Sequence, residues 1–421
     1  MIRERAALVG LFNDSPRHFD PEHALDELAG LASAAGADAV LRVQQERAKP
    51  DPATFLGKGK VAMLAAASSE ARVDTVIFDN ELSPAQMRNL EGALDRKVID
   101  RTQLILDIFA RRARTREGKL QVELAQLKYL MPRLVGSNDA LSRPGGGIGT
   151  LGPGETKLET DRRRIRYRIS VLGKEIDTVR RRRAQLRERR HKSAVPTVAL
   201  VGYTNAGKST LFNVLTGSDA VASNALFVTL DPLVRRVKLP DRRELLVSDT
   251  VGFIDRLPHS VVAAFRATLE EVADADLLLH VIDAAAPNRD RRMAAVNAVL
   301  AEVGATSVPF VEVFNKCDQL GEGERARLAA LYPGALAVSA LTGEGREEVI
   351  AAMETRLALD TVTVTFEFDP HDERDREQIS QLYRFGRILR HVASDTGITV
   401  EAELPKRLLE RFRKERPLVP S

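Results

Sequence analysis

Eight residues in the middle of the chain have the composition of a phosphate-binding loop. Gly202-Tyr203-Thr204-Asn205-Ala206-Gly207-Lys208-Ser209 follows an apolar run, residues 197–201, and precedes a helical pattern. Glycines at these positions let backbone N–H groups turn toward phosphate oxygens, and the following helix N-terminus adds positive potential. In such a loop the lysine contacts the β- and γ-phosphates and the serine hydroxyl binds Mg²⁺. The spacing therefore predicts a nucleotide site formed by these residues and Thr210.

A second motif, Asp249-Thr250-Val251-Gly252, ends the predicted strand 244–248. We expect Asp249 beside or behind the Mg²⁺ ligands and the Gly252 amide at the γ-phosphate. The intervening segment 220–232 is predicted to sense the nucleotide, with Thr229 binding Mg²⁺ only when the triphosphate is present. Thr250 is the alternative ligand. The predicted metal ligands are Ser209 and Thr229, and the other residues predicted around the phosphates are Phe227, Val228, Thr250 and Val251.

Two later motifs indicate which base is bound. Asn315-Lys316-Cys317-Asp318 follows the predicted strand 309–314, and Ser339-Ala340-Leu341 follows a predicted strand at 335–338. A carboxylate at Asp318 can accept hydrogen bonds from guanine N1–H and from its exocyclic amine, a donor pair that adenine lacks. We expect Lys316 to lie over the base and Asn315 to support the loop and the purine. The Ala340 amide is expected to donate to guanine O6. In this order and context, the four motifs predict a GTPase.

Lys208, Thr229 and Gly252 are the residues predicted to act on the reacting phosphate. Ras-like enzymes carry a glutamine after the glycine of Asp-x-x-Gly to orient the attacking water, and this chain has Phe253 there. A phenyl ring cannot hydrogen-bond water, so we predict slow, Mg²⁺-dependent hydrolysis of GTP that a binding partner accelerates. Asn205 offers a side-chain carbonyl that could hold K⁺ near the phosphates.

The periodicity around these motifs predicts the elements that position them. Short apolar runs alternate with helical patterns in the first 110 residues and again from residue 195, which is typical of parallel α/β sheets. The later region is predicted to be a Ras-like P-loop domain. The last residues are predicted to form a small α+β domain, with two strands around a helix at about 374–391. The N-terminal strands are predicted at 6–11, 39–43, 75–78 and 97–99, and the helices between them at 23–33, 60–71, 84–94 and 101–110.

A long antiparallel helical hairpin is predicted between the two α/β regions. Apolar residues recur in steps of four and three from Leu120 to Leu134, and again from Ile165 to Val179. The loop between them, residues 144–154, is rich in glycine, which favours a shaped tip over the alternative of a flexible linker. The predicted domains are thus residues 1–112, the hairpin 113–194, the GTPase domain 195–358 and the C-terminal domain 359–421.

Positive charge is concentrated on the second helix of this hairpin. Residues 160–192 contain 14 Lys/Arg and 4 Asp/Glu, a balance of +10, whereas the whole chain carries only +4 and the rest is therefore at −6. The guanidinium fork matches phosphate oxygens, so the block favours a nucleic-acid partner over the alternative of a solvated helix face.

The composition excludes several classes of protein. A chain of 421 residues, 44 % apolar and 29 % charged, is typical of a folded, multi-domain protein. No run approaches the ~18 apolar residues of a membrane span, and no small-residue cleavage site follows the apolar run 6–12. The single cysteine, Cys317, cannot form an internal disulfide. We predict a cytoplasmic protein without stable membrane insertion, and a monomer.

Several stretches resemble the HflX family of ribosome-associated GTPases, in the Obg-HflX superfamily of P-loop GTPases. The resemblance rests on residues 78–86, 98–102, 105–110, 118–127 and, most specifically, 152–161. It implies binding of the large ribosomal subunit and its rRNA, with the hairpin tip toward the peptidyl transferase centre, and GTP-dependent splitting or rescue of ribosomes. Some members of the family also use ATP, which the N-terminal Gly57-Lys58-Gly59-Lys60 could bind.

Two other functions stay open at this level. One is an RNA-remodelling NTPase that works through an N-terminal ATP site. The other is a signalling GTPase that binds protein effectors and uses the hairpin as a dimerisation coiled coil. Binding to rRNA would weaken steeply with salt, whereas an apolar dimer seam would not.

Overall fold

Three separate β-sheets organise the chain. The computed structural model describes residues 3–12, 21–134, 157–192, 195–219, 226–239, 244–255, 271–357, 361–369, 372–394, 397–405, 409 and 412. Within these ranges no helix is both long enough and apolar enough to cross a membrane. The glycine-rich segment 144–154, predicted as the hairpin tip, lies outside the described residues.

The N-terminal region forms a four-stranded parallel sheet, as the alternating pattern predicted. Its elements are β1 (Glu4–Phe12), α1 (Pro21–Ala34), β2 (Ala37–Glu46), α2 (Lys58–Glu70), β3 (Thr75–Phe78), α3 (Pro84–Leu94), β4 (Lys97–Asp100) and α4 (Arg101–Arg112). The strand order is β2-β1-β3-β4, so the apolar run 6–12 is a buried strand with a neighbour on each side. Ser83 and Gln86 form a capping box that starts α3, with Pro84 at its first position.

The predicted hairpin is present, with two helices of unequal length. They are α5 (Arg116–Leu130), which a 3₁₀ turn (Met131–Leu134) extends, and α6 (Lys157–Lys192). The helices are antiparallel, because Arg116 pairs with Glu175 while Glu123 pairs with Arg168. The buried residues of the seam between them are Leu120, Leu172 and Ile176. The middle of the apolar stripe is therefore covered within one chain.

The GTPase region forms a six-stranded sheet in the order β10-β9-β8-β5-β7-β6. Only β6 is antiparallel to its neighbour. Its strands are β5 (Thr197–Gly202), β6 (Leu233–Lys238), β7 (Glu244–Asp249), β8 (Leu277–Asp283), β9 (Phe310–Asn315) and β10 (Leu336–Ala337). The helices with both ends among the described residues are α7 (Lys208–Thr216), α8 (Arg289–Glu302), α9 (Glu322–Leu331) and α10 (Arg346–Arg356). The four sequence motifs lie at the carboxyl ends of β5, β7, β9 and β10, where parallel sheets bind ligands.

The C-terminal region differs from its prediction in one element. It contains β11 (Thr361–Phe368), α11 (Glu373–Phe385), β12 (Arg387–Ser394) and β13 (Gly397–Pro405), which form an antiparallel sheet in the order β11-β13-β12. The predicted helix 374–391 is wrong beyond Phe385, because the backbone turns to an extended conformation at Gly386 (φ −121°, ψ 166°), whose amide makes the last helical hydrogen bond to Leu382 O. The following residues pair with β13, a contact between strands that local periodicity does not reveal.

A single apolar core joins the N-terminal sheet to the GTPase sheet. Leu28 of α1 and Phe109 of α4 are fully buried in the same cluster as Phe227, Val251 and Phe253, which come from the GTPase motifs. We call this cluster the shared core. The segments that surround a nucleotide therefore pack directly on the N-terminal half of the chain.

Candidate nucleotide site

A cavity of about 540 Å³ opens at the carboxyl ends of the GTPase strands, a size that suits a nucleotide. It brings together residues from all four sequence motifs and from the segment around Thr229. The lining residues are Thr204, Asn205, Gly207, Lys208, Ser209, Thr210, Phe227, Val228, Thr229, Thr250, Gly252, Asn315, Lys316, Asp318, Gln319, Ala340 and Leu341. Gln319 was not predicted, although it directly follows the motif that ends at Asp318.

Three side-chain oxygens converge at one end of the cavity. Ser209 Oγ donates to Asp249 Oδ2 at 2.6 Å, and Thr229 Oγ1 lies 2.9 Å from both of these atoms. Asp249 is fully buried, and its Oδ1 has no hydrogen-bond partner among the described residues. Burial raises the pKa of the Asp249 carboxyl, while the hydroxyl of Ser209 lowers it. A cluster of hard oxygen donors with a spare carboxylate lone pair fits Mg²⁺.

Thr250, the alternative metal ligand, points elsewhere. Its Oγ1 donates to Leu200 O at 2.6 Å, inside the sheet. Thr229 is therefore the threonine whose hydroxyl joins the oxygen cluster.

Lys208 is buried at the floor of the cavity. Its ammonium donates to Gly202 O at 3.1 Å and to Tyr203 O at 2.9 Å, which holds the charge inside the loop. Burial lowers the pKa of Lys208 to about 8, with the charge of Asp249 opposing that shift. Gly252 lies against this group: a Cβ there would be 2.9 Å from Thr204 Cα and 3.0 Å from Lys208 Nζ. Because glycine has no Cβ, it allows the backbone at residue 252 to lie this close to the phosphate loop.

The opposite end of the cavity is built around Asn315. Its Nδ2 donates to Ala206 O at 2.8 Å, and its Oδ1 accepts from Ala340 N at 2.9 Å, so one side chain ties the phosphate loop to the last motif. Asp318 Oδ1 accepts from Ser339 Oγ at 2.6 Å, which orients the carboxylate. The free lone pairs of that carboxylate remain available for a base.

Two groups predicted to contact the base have partners within the protein. The Ala340 amide, predicted to donate to guanine O6, donates to Asn315 Oδ1. The Lys316 ammonium, expected over the base, pairs with Asp283 Oδ2 at 2.8 Å. Asp283 ends β8 and carries no motif signal of its own, so sequence reasoning missed it. Leu341 lines the cavity but is 80 % exposed.

The side chains of three predicted site residues pack or hydrogen-bond toward the N-terminal half of the chain. Tyr203 directs its hydroxyl to Glu27 of α1 and accepts a hydrogen bond from the Asp255 amide at 2.9 Å. Phe227 packs edge-to-face on Phe109, with ring centroids 4.7 Å apart. The third, Val251, is buried in the shared core. Nothing in the motif pattern indicated that these side chains would have their partners outside the nucleotide site.

Phe253 is also turned away from the cavity. Its amide donates to Gly202 O at 3.0 Å and its carbonyl accepts from Thr204 N at 2.7 Å, so the backbone is paired with the phosphate loop. The ring is 3 % exposed and lies in the shared core. The position that holds a water-orienting glutamine in Ras-like enzymes is a packing position here.

Three family descriptions match successive parts of the chain. Residues 22–110 match "GTP-binding GTPase N-terminal", and residues 112–190 match "GTP-binding GTPase Middle Region". Residues 197–316 match "50S ribosome-binding GTPase".

Curated relatives cover almost the whole chain. The "GTPase HflX" of Caldanaerobacter subterraneus subsp. tengcongensis is 46 % identical over 98 % of this chain and 93 % of its own length. That of Escherichia coli K12 is 44 % identical over 98 % of this chain and 96 % of its own length. Among solved structures, a GTP-binding protein from Sulfolobus solfataricus in complex with GDP is 24 % identical, with a TM-score of 0.44 over 84 % of this chain and 98 % of its own.

Proposed function

The chain belongs to the HflX family of GTPases and hydrolyses GTP, and we propose that it does so with Mg²⁺ on the large ribosomal subunit, where GTP binding drives subunit splitting or rescue. We place this activity in the cytoplasm. Two observations support the proposal: residues 197–316 match the family "50S ribosome-binding GTPase", and the helix α6, which packs on α5, is rich in arginine.

The cavity supplies the groups that phosphate chemistry requires. Ser209 and Thr229 would hold Mg²⁺, with Asp249 behind them, and the bound ion would neutralise charge on the β- and γ-phosphate oxygens. Lys208 neutralises the same oxygens from the loop, and the Gly252 amide donates to the γ-phosphate. Asn205, at the exposed edge of the loop, would hold K⁺ beside them. Phe253 supplies no water-orienting group, so we propose that the ribosome completes the site and accelerates turnover.

Asp318→Asn is expected to weaken GTP binding by about 10- to 100-fold, because it replaces a charged acceptor facing guanine N1–H with an amide. The same variant should bind xanthosine triphosphate more tightly than the natural chain does, since xanthine presents the complementary groups. Titration of both nucleotides separates loss of the fold, which weakens both, from a change of base preference. Unchanged GTP affinity would refute the base assignment.

Exposed arginines on α6 support an rRNA partner. Arg181 and Arg182 are exposed, whereas Arg168 is held by Glu123 through two bonds of 2.7 and 2.8 Å. Part of the basic block thus stabilises the hairpin, and part faces solvent, where phosphates can reach it. Leu120, Leu172 and Ile176 of the apolar seam are buried between α5 and α6, which argues against the use of this part of the hairpin as a dimerisation coiled coil. No observation favours a separate ATP site at residues 57–60.

Arg181→Ala with Arg182→Ala is expected to weaken binding to purified large subunits about tenfold and to lower the salt slope by about two. Co-sedimentation with a GTP analogue and with GDP measures this, and the natural chain should sediment preferentially with the analogue. Arg327→Ala with Arg356→Ala, which removes two exposed charges from the GTPase domain, is the matched control. Basal GTP turnover should not change in either variant, while large subunits should accelerate the natural chain. If both double variants bind large subunits equally well and with equal salt slopes, the basic block of α6 is only a solvated helix face.

A further inference from the structure

Asp231, two residues after Thr229, leaves the nucleotide site and caps the hairpin. Its Oδ2 accepts from the amides of Arg114 and Thr115 at 2.8 and 2.9 Å, and its Oδ1 contacts the Thr115 hydroxyl. Thr115 is itself the N-cap of α5 and accepts from Gly118 N at 3.0 Å. A carboxylate at a helix N-terminus also meets the positive end of the helix dipole. The first turn of α5 is therefore completed by a residue more than 100 positions away.

The chain around α5 is shaped to receive this carboxylate. A Cβ on Gly118 would lie 2.5 Å from Asp231 Oδ1, so any other residue there would displace Asp231 or the helix. Glycine inside a helix costs up to about 1 kcal/mol relative to alanine. The close approach of Asp231 is a physical reason for accepting that cost.

Thr229 lies between two such anchors. On one side Phe227 is 2 % exposed and packs on Phe109 of α4. On the other side Asp231 is bound at the start of α5. Between them, Thr229 reaches Ser209 and Asp249. The N-terminal half of the chain thus holds both flanks of the residue that joins the oxygen cluster of Ser209 and Asp249.

We infer that Asp231 is a positioning residue: by binding the N-terminus of α5, it holds Thr229 where it can bind the Mg²⁺ of a GTP complex. The inference rests on the metal role proposed above for Thr229. Coupling of this kind is reciprocal, so engagement of Thr229 by Mg²⁺ and GTP stabilises the first turn of α5. That helix packs along the basic helix α6, which gives the nucleotide a direct path to the ribosome-binding hairpin.

Asp231→Asn should separate the two nucleotides. The variant loses its charge and one strong acceptor, so affinity for a non-hydrolysable GTP analogue with Mg²⁺ should fall about tenfold. GDP affinity should stay within twofold, because Thr229 engages only the triphosphate complex. Asp219→Asn, the same change at an exposed position before this segment, is the matched control and should leave both affinities unchanged. Fluorescent nucleotide titration measures all four values.

Variants of Thr115, which binds the Asp231 carboxylate, provide an independent check. Thr115→Val removes the hydroxyl and should reproduce part of the loss of analogue affinity, while Thr115→Ser keeps the hydroxyl and should behave as the natural chain. Amide hydrogen exchange at residues 116–119 should slow when the analogue replaces GDP, and Asp231→Asn should abolish that difference. A role in folding alone would change exchange equally with both nucleotides.

A third variant, Thr229→Ala, distinguishes the positioning role of Asp231 from the proposed Mg²⁺ role of Thr229. Thr229→Ala should lower analogue affinity and spare GDP. If it does so while Asp231→Asn lowers neither affinity, or lowers both equally, the positioning role is refuted and the metal role stands. If Thr229→Ala spares the analogue as well, the metal role of Thr229 is refuted, and the positioning role with it.

Discussion

Lys208→Ala is expected to lower the rate of GTP hydrolysis by about 10³-fold or more, the largest effect of any single change in the site. The ammonium is buried and held by two loop carbonyls, so it is oriented before the phosphates arrive and its charge acts at low dielectric. Alanine leaves the phosphate charge on that side without compensation. Lys238→Ala, which removes an exposed charge from β6, is the control and should turn over GTP as the natural chain does.

The pKa of Lys208 gives this prediction a second readout. Because burial lowers that pKa to about 8, the amine of the free enzyme is protonated at pH 7 and loses its proton as the pH rises above 8. Phosphate binding then requires proton uptake, so GTP affinity should be flat below pH 7 and fall by up to about tenfold per unit above pH 8. Lys208→Ala should lack this pH dependence. Nucleotide affinity and turnover within tenfold of the natural chain would show that Lys208 does not neutralise the phosphates.

Arg101→Ala is expected to destabilise the protein by about 3–5 kcal/mol, because it removes the cation shared by the buried carboxylate of Asp79 and the half-buried carboxylate of Glu27. Arg101 is 5 % exposed, pairs with Asp79 at 2.7 Å and with Glu27, and donates to Asp255 O at 3.0 Å. Thermal unfolding should begin about 3–6 °C lower for a chain of 421 residues. The matched control is Arg42→Ala: its pair with Asp26 is about half exposed and should contribute at most about 1 kcal/mol.

The cause of that loss can be tested separately. Adding Glu27→Gln and Asp79→Asn to Arg101→Ala removes the two uncompensated charges and should recover part of the thermal stability. If Arg101→Ala lowers the unfolding temperature no more than Arg42→Ala does, the ion pairs of Arg101 with Asp79 and Glu27 do not contribute the expected stability. Glu27 also accepts from the hydroxyl of Tyr203 in the phosphate loop, so the same cluster links the N-terminal sheet to the nucleotide site.

The phosphate loop could be read from the sequence because its chemistry is local. The glycine and lysine spacing, the preceding apolar strand and the following helix all lie within about twenty residues. Each of the four motifs is also short, so their succession along the chain identified a GTPase, and alternating or heptad spacing predicted the parallel sheet and the hairpin. Each of these signals depends on neighbours along the chain, where strand and helix periods act directly.

The tertiary structure decided where the remaining side chains go. Tyr203 and Phe253 stand in motif positions, yet their side chains turn into the shared core, because α1 and α4 offer apolar and charged partners there. Asp231 reaches Thr115 across 116 positions, and Arg101 reaches Asp255 across 154. The strand β12 also arises from pairing that its own periodicity does not reveal. Periodicity specifies which face of an element is apolar but not which distant surface covers it, and in this protein that choice links the nucleotide site to the N-terminal half.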